Sequence, residues 1–224
     1  TSDRKESLQS TAKILPEKPS DTSPHISNAL TQTQKPPQKK EIVTKKAETT
    51  SASIGKVVDV KLKKKYFFEF LMPMIIIAND RVIKERGEVV DLKKKQKSGA
   101  GLSTKDFDRL LEISSKYKLA LDVERESPKI ASNMDRLLVR VDTIPASLIL
   151  AQAANESAWG TSRFAREANN YFGMWCFFTG CGLEPARRAP GLKHEVAKFH
   201  SVQQGVVQYV HNLNTNSAYK MMRT

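Results

Sequence analysis

VDTIPASLILAQAANESAWGTSRFAREANNYFGMW, residues 141–175, is the stretch that decides the fold of this 224-residue chain. Its side chains recur at the spacing of a helix, in the order Leu148, Ile149, Gln152, Ala153 and Glu156. Asp142 or Thr143 can cap this helix, and Pro145 fits its first turn, where a missing N–H loses no partner. Gly160 ends it. Four alanines let neighbouring helices approach closely, so we predict a central helix.

Glu156 falls in the last turn of this predicted helix. The C-terminal end of a helix carries partial negative charge, which disfavours an ionised carboxylate, and partial burial near Trp159 disfavours it further. Both effects raise the pKa of a carboxyl group, as a general acid working near neutral pH requires. Glu156 is therefore the candidate catalytic acid, and a solvated glutamate without a catalytic role is the alternative.

Aromatic and amide side chains surround the candidate acid in the sequence. They are Gln152, Trp159, Phe164, Asn169, Asn170, Tyr171, Phe172 and Trp175. Aromatic faces stack on the C–H faces of sugar rings, and amides hydrogen-bond to sugar hydroxyls. This composition is typical of a sugar-binding groove. The alternative is an aromatic cluster in the core, which we expect for Phe164 and Phe172.

Three motifs in this stretch resemble one family of enzymes. AQAANESAWG surrounds the acid, TSRFA follows it, and NNYFGMW comes in the next turn. They resemble the Bax-type, mannosyl-glycoprotein endo-β-N-acetylglucosaminidase-like proteins, which belong with the glucosaminidases of glycoside hydrolase family 73. The similarity extends from about Leu62 to the end of the chain. It implies a mainly α, lysozyme-like helical domain with a small β-lobe, and cleavage of the β-1,4 bond after N-acetylglucosamine in peptidoglycan.

The resemblance also assigns individual residues. Glu156 matches the catalytic acid of the family. The turn that lines the groove corresponds to Asn170, Tyr171, Phe172 and Gly173, and Gln152, Trp159 and Trp175 join them as candidates for substrate binding. Relatives continue with a closing segment that includes a tyrosine near the cleft. This chain stops at MMRT, so we expect a C-terminally incomplete domain in which Tyr219 is the candidate for that tyrosine.

A second catalytic group is expected from the β-lobe, residues 182–199. Glu184 begins a loop that could form a lip over the cleft and is slightly favoured, while Glu195 lies in the strand-like run HEVAKF. A surface salt bridge is the alternative for both. The separation of the two carboxylates decides between inversion and a covalent intermediate. A third route uses the acetamido group of the substrate and needs no second carboxylate.

Cys176 and Cys181 are the two cysteines of the chain. Four residues separate them, and Thr179 and Gly180 can turn the chain, so a small disulfide-closed loop is feasible. Two reduced thiols or a zinc pair are the alternatives. A disulfide indicates an oxidising compartment. We predict export to the periplasm or cell envelope by a signal that is not visible here, and we expect no metal and no other cofactor.

Composition divides the chain into three parts. Residues 1–57 are rich in Ser, Thr, Pro and Lys without any aromatic residue, so we predict a disordered basic tail. Residues 58–100 form a predicted helical extension, and residues 101–224 form the catalytic domain. Residues 1–65 carry 14 Lys/Arg against 7 Asp/Glu and residues 101–224 carry 16 against 12, so just over half of the net charge of +13 lies in residues 1–65. The tail suits loose association with an anionic envelope better than binding of nucleic acid, because it has no rings to stack on bases.

Two other functions remain open at this point. A lytic transglycosylase acts on the same glycan with one essential glutamate and forms an anhydro end. A non-catalytic envelope module would bind glycan without cleaving it. The leading hypothesis is that the protein is a hydrolase that cleaves glycan strands, with Glu156 as the general acid.

Overall fold

The computed structural model describes residues 54, 56–121, 124–186, 188, 191 and 193–223. The described chain is mainly helical, and its helices are α1 Val60–Lys97, α2 Thr104–Lys116, α3 Ile130–Leu138, α4 Ala146–Ser157, α5 Arg163–Ala168 and α6 Val202–Thr215, followed by the 3-10 helix Ser217–Arg223. A three-stranded sheet lies between α5 and α6 in the sequence. The predicted class, mainly α with a small β-lobe, is confirmed.

Helix α1 runs for 38 residues without interruption and contains Pro73. Pro73 does not divide this element into two helices. Asp59 caps the helix by accepting a hydrogen bond from the N–H of Leu62 at 2.7 Å. The helix packs against α6, α3, α4 and α2, which makes it the element that most of the fold contacts. Within the described residues, no helix is both long and apolar enough to cross a membrane.

One hydrophobic core joins α1 to the helices that follow it. Its fully buried members include Phe67, Leu71, Ile75, Leu110, Ile130, Met134, Leu137, Ile149 and Val206. The core therefore does not divide at residue 100, where the linker composition suggested a boundary. Most of the predicted tail lies outside the described residues, but Ile54 is fully buried and belongs to this core.

The N-termini of α2 and α4 are capped differently. Ser103 caps α2 in a reciprocal capping box with Asp106. Helix α4 begins later than the predicted caps, because Pro145 occupies the N-cap position and contributes no side-chain cap. Asp142 instead forms an ion pair with Arg86, with 3.5 Å between the charged atoms.

Helix α4 ends abruptly one residue after Glu156. Three consecutive residues have positive φ angles, Ala158 at 49°, Trp159 at 59° and Gly160 at 78°. The left-handed conformation is costly for Ala158 and Trp159, which carry a Cβ. The hydroxyl of Ser157 compensates part of this by accepting a hydrogen bond from the N–H of Gly160. The turn fixes the end of α4 and thereby the position of Glu156.

The sheet consists of β1 Trp175–Cys176, β2 Gly182–Leu183 and β3 Glu195–Ala197, with β3 in the middle. Both neighbours run antiparallel to β3, with Trp175 opposite Val196 and Gly182 opposite Ala197. A Cβ on Gly182 would lie 1.9 Å from the backbone oxygen of Val196, so only glycine permits this pairing.

Candidate active site

Glu156 lies in the last turn of α4 and is exposed to solvent. The burial expected beside Trp159 is therefore absent. The indole of Trp159 packs edge-on against Phe67 and Phe68 of α1, at ring distances of 5.4 and 5.6 Å. The positive φ of Trp159 accounts for this difference, because it turns the chain sharply after the helix. Trp159 is half-buried, with Lys64 above its ring.

Gly173 brings the next turn of the chain against the carboxylate of Glu156. A Cβ at position 173 would lie 3.1 Å from Oε2 of Glu156, and φ at this glycine is 61°. Both the close approach and the left-handed backbone favour glycine here. The structure thus brings together the predicted acid and one residue of the predicted groove turn.

Two tyrosines from the C-terminal part of the chain belong to the same neighbourhood. Burial raises the pKa of Tyr209, and the nearby groups of Tyr219 and Glu156 raise it further. Tyr209 is on α6, and the half-buried Tyr219 is on the 3-10 helix. The candidate site is therefore formed by the end of α4, the Gly173 turn, α6 and the segment that follows it. Sequence reasoning named Tyr219 but missed Tyr209.

Asn170 organises the groove turn from inside and does not line its surface. Only 1% of the residue is exposed. Its amide nitrogen donates to the backbone oxygens of Met174 and Ala197 at 2.9 and 2.8 Å. Its amide oxygen accepts from the N–H groups of Phe172 and Met174. Asn170 therefore ties the turn to β3, and its contact with substrate stays a prediction.

Tyr171 and Phe172 are also packed inwards. Tyr171 is fully buried between Phe67 and Phe70 of α1. Phe172 is 7% exposed and stacks on Tyr209, with ring centroids 4.0 Å apart and planes 4° from parallel. The expectation that Phe172 is a core residue is confirmed. Tyr171 has no exposed surface in this structure, and its assignment to the groove stays a prediction.

Trp175 and Gln152 keep accessible surface. Half of Trp175 is exposed, and its ring lies 4.2 Å from the ring of His194. Gln152 is half-buried on α4, one turn before Glu156. Both remain candidates for substrate binding.

Glu195 is engaged by the loop that connects β1 to β2. The N–H groups of Gly180 and Gly182 donate to its two carboxylate oxygens at 2.9 and 2.8 Å. These bonds lower the pKa of Glu195. Its oxygens are already bonded and the residue is 8% exposed, so Glu195 anchors the loop in this structure, and its role as the second catalytic group stays a prediction.

Glu184, the favoured candidate for the second group, is exposed and forms an ion pair with Arg188 at 2.8 Å. Its backbone oxygen also accepts from Arg163. This is the salt bridge that the sequence left open as an alternative. Nothing in the described contacts links Glu184 to Glu156, and its catalytic role stays a prediction.

The predicted disulfide between Cys176 and Cys181 is present, with the two Cα atoms 6.1 Å apart. Both sulfurs lie within 4.8 Å of the carboxylate of Glu195. With the sulfurs joined to each other, this group lacks the thiolates that bind zinc. The cluster is explained by the disulfide loop folding onto Glu195.

Replacing Gly173 by Ala is expected to reduce activity more than stability. The positive φ costs about 1 kcal/mol once a Cβ is present, and the new methyl group displaces the Glu156 carboxylate. Misplacing a reacting group lowers the rate by about tenfold to a hundredfold. The measurement is kcat on glycan substrate together with thermal unfolding.

Gly99→Ala is the matched control for this change. Gly99 also has a positive φ, 81°, but a Cβ there would meet no atom within 4 Å. It should lose similar stability and keep full activity. If the two variants had equal activity, the contact between Gly173 and Glu156 would have no functional role.

Acidification is expected to remove the contribution of Glu195 to stability. Because folding lowers the pKa of Glu195 below its ordinary value of 4.5, its bonds stabilise the folded chain fully above that value. The contribution disappears as the pH falls through the lowered value. Thermal unfolding of the wild type and of Glu195→Gln, compared between neutral and acid pH, should therefore show a difference that shrinks on acidification. A difference that stays constant with pH would exclude the ionised carboxylate as its source.

The fold and this site define a helical domain with a solvent-accessible glutamate at a helix end and a small sheet nearby. Residues 133–224 match the family model of the glucosaminidases, described as mannosyl-glycoprotein endo-beta-N-acetylglucosaminidase. These residues are therefore a glucosaminidase-family domain.

A curated homologue is Protein bax of Escherichia coli (strain K12), which is 38% identical over 161 residues. The aligned region covers 72% of this chain and 54% of that protein, so the chain spans about half the length of this relative. No solved structure matches the chain. The family match begins inside α3, so α1 and α2 share the core of the domain without belonging to the matched region.

Proposed function

We propose that this protein is a glycoside hydrolase that cleaves the β-1,4 bond after N-acetylglucosamine within peptidoglycan strands. The single observation that carries the proposal is the position of Glu156. It is a solvent-accessible glutamate, held at an abrupt helix end and flanked by the Gly173 turn of a glucosaminidase-family domain. An accessible carboxyl in a fixed place is what protonation of a bound polymer requires.

In the proposed reaction, the carboxyl group of Glu156 donates its proton to the glycosidic oxygen. The bond from that oxygen to the anomeric carbon breaks, and the departing sugar leaves with a hydroxyl group. The anomeric carbon gains positive charge in an oxocarbenium-like transition state. A water molecule then adds to this carbon, and its proton returns the Glu156 carboxylate to the acid.

The state of the other two carboxylates supports a route that depends on Glu156 alone. Glu195 holds the disulfide loop, and Glu184 is paired with Arg188. The acetamido group of the substrate can stabilise the positive carbon without a second protein carboxylate. The same observation favours lytic transglycosylation as the second candidate, in which a hydroxyl group of the substrate takes the place of water.

Product analysis separates these two reactions. Purified sacculi digested by the protein are examined by mass spectrometry, before and after borohydride reduction. Hydrolysis predicts reducible N-acetylglucosamine ends, whereas transglycosylation predicts anhydro-muramoyl ends that resist reduction. Reducible muramic acid ends would contradict the proposed bond specificity.

We also propose that the protein acts outside the cytoplasm, in the periplasm or cell envelope. The Cys176–Cys181 disulfide supports this, because such bonds persist in oxidising compartments. Peptidoglycan is present in the same place. Fractionation of cells that express the protein would test the location.

A further inference from the structure

The loop between β1 and β2 presents aromatic side chains that the proposed reaction leaves unused. Phe177 and Phe178 follow β1 directly, and they are 78% and 70% exposed. Trp175, on β1 itself, is 50% exposed. We call residues 175–181 the aromatic loop. Large apolar rings exposed at adjacent positions are typical of a binding surface.

The aromatic loop is held at its base by two kinds of bond. The Cys176–Cys181 disulfide closes it. The buried Glu195 lies beside the same two sulfurs and accepts hydrogen bonds from the N–H groups of Gly180 and of Gly182, the residue that follows the loop. A binding surface that is ordered beforehand loses less entropy when its ligand binds. Phe177 and Phe178 do not fill the core, so the ordered loop holds both rings exposed to solvent.

The loop is continuous with the candidate site. Gly173 lies against the carboxylate of Glu156, Trp175 follows two positions later, and Phe177 two positions after that. A chain spans at most about 3.6 Å per residue, so the backbones of Trp175 and Phe177 lie within about 7 and 14 Å of Gly173. A polymer bound at Glu156 can therefore extend over these rings.

The charge of the segment indicates what kind of partner it fits. Between Glu167 and Arg187, the one charged residue is Glu184, and no lysine or arginine is present. An anionic membrane surface is bound by aromatic residues together with Lys or Arg. The aromatic loop itself carries neither, and among the described residues the basic ones packed against it are Lys198, whose N–H bonds to the backbone oxygen of Cys181, and Arg188, near Glu195. Sugar rings have uncharged C–H faces, which aromatic rings can cover.

We infer that the aromatic loop is a distal glycan-binding surface, on which Phe177 and Phe178 stack successive sugars of the strand beyond the bond cleaved at Glu156. The inference rests on the proposed function, since it extends the same groove. Trp175 is the link between the two parts, because one side of its ring faces His194 and the rest is exposed. The surface selects long strands over short fragments.

Binding measured without turnover tests this. In a Glu156→Gln background, which binds but does not protonate, calorimetry is used to measure the affinity for β-1,4-linked N-acetylglucosamine oligomers, from the disaccharide to longer chains. Adding Phe177→Ala and Phe178→Ala should weaken binding of the long oligomers by about tenfold, or 1.4 kcal/mol, and leave the disaccharide unchanged. Ile83→Ala, at a 54% exposed apolar position on α1, is the matched control and should change neither.

A second variant tests whether the ordering of the aromatic loop before binding contributes to the affinity for long oligomers. Joint replacement of Cys176 and Cys181 by Ser leaves both phenylalanines in place but opens the loop, and should weaken binding of the long oligomers by about threefold. Circular dichroism and thermal unfolding confirm that the variants fold.

Equal affinity of the loop variants and their parent at every length would overturn the inference. So would a loss confined to binding of phosphatidylglycerol vesicles, which would make the loop a membrane contact. Failure of the proposed function has a different signature, namely undiminished cleavage of sacculi by Glu156→Gln. The two ideas can therefore fail separately.

Discussion

Replacing Glu156 by Gln is expected to lower kcat on peptidoglycan by about a hundredfold to ten-thousandfold. Glutamine keeps the size of the side chain and its contact with Gly173, but it has no proton to donate to the leaving oxygen. Because Glu156 is exposed, the free energy of unfolding should change by no more than about 0.5 kcal/mol. Release of soluble fragments from purified sacculi gives the rate.

Glu167→Gln is the matched control for this variant. Glu167 is an exposed glutamate on α5, paired with Arg163 at 3.1 Å, and it contacts no part of the candidate site that we describe. Its replacement should leave kcat unchanged. Undiminished activity in Glu156→Gln would refute the catalytic assignment. Binding of sacculi by the wild type without any turnover would instead indicate a non-catalytic glycan-binding module.

Replacing Asn170 by Ala should have the largest effect on stability. Its removal takes a partner from two backbone N–H groups and two backbone oxygens, of which the oxygen of Met174 still accepts from the N–H of Ala197. Unpaired buried polar groups cost about 1–3 kcal/mol each, and relaxation of the turn lets some of them reach water. We expect a total loss of about 3 kcal/mol, or about 6–12 °C in Tm for a chain of this size.

Activity should also fall in this variant, because the turn that carries Gly173 loses the side-chain bonds that hold it, although the N–H of Ala197 still bonds to the oxygen of Met174. Asn155→Ala is the control, since Asn155 is an exposed asparagine on α4. Its thermal unfolding should match that of the wild type. A Tm for Asn170→Ala within about 2 °C of the wild type would show that the four hydrogen bonds do not stabilise the turn.

The sequence predicted most accurately the features that are set by interactions between residues near one another in the chain. Helical spacing and small residues predicted α4, and the spacing of Cys176 and Cys181 with a turn between them predicted their disulfide. Each of these features depends on residues that are close in the chain.

The side on which an aromatic residue packs could not be read in the same way. Trp159, Tyr171 and Trp175 are aromatic residues close together in the sequence. Trp159 and Tyr171 nevertheless pack on α1, whereas Trp175 is exposed. What separates them is the contact with a helix some ninety residues earlier in the chain, together with the left-handed backbone at Trp159. Neither is encoded in a short window of sequence.

The role of Glu195 was missed for a related reason. Its partners, the N–H groups of Gly180 and Gly182, are backbone atoms that approach it only when the hairpin closes. A sequence pattern shows which side chains are present, but it does not show which backbone N–H groups approach a carboxylate in the folded chain. Tyr209 was passed over because its spacing on α6 is that of a core residue, which it also is. Its stacking on Phe172 and its proximity to Glu156 appear only in the folded chain.

The central claim is that Glu156 donates the proton to the leaving oxygen, and leaving groups that need no proton test it most directly. The rates of the wild type and Glu156→Ala are compared on a β-1,4-linked N-acetylglucosamine oligomer and on the corresponding 2,4-dinitrophenyl glycoside, whose phenolate departs unprotonated. The account predicts a loss of about a hundredfold or more on the oligomer and a small loss on the dinitrophenyl glycoside. Equal losses on both substrates would contradict it.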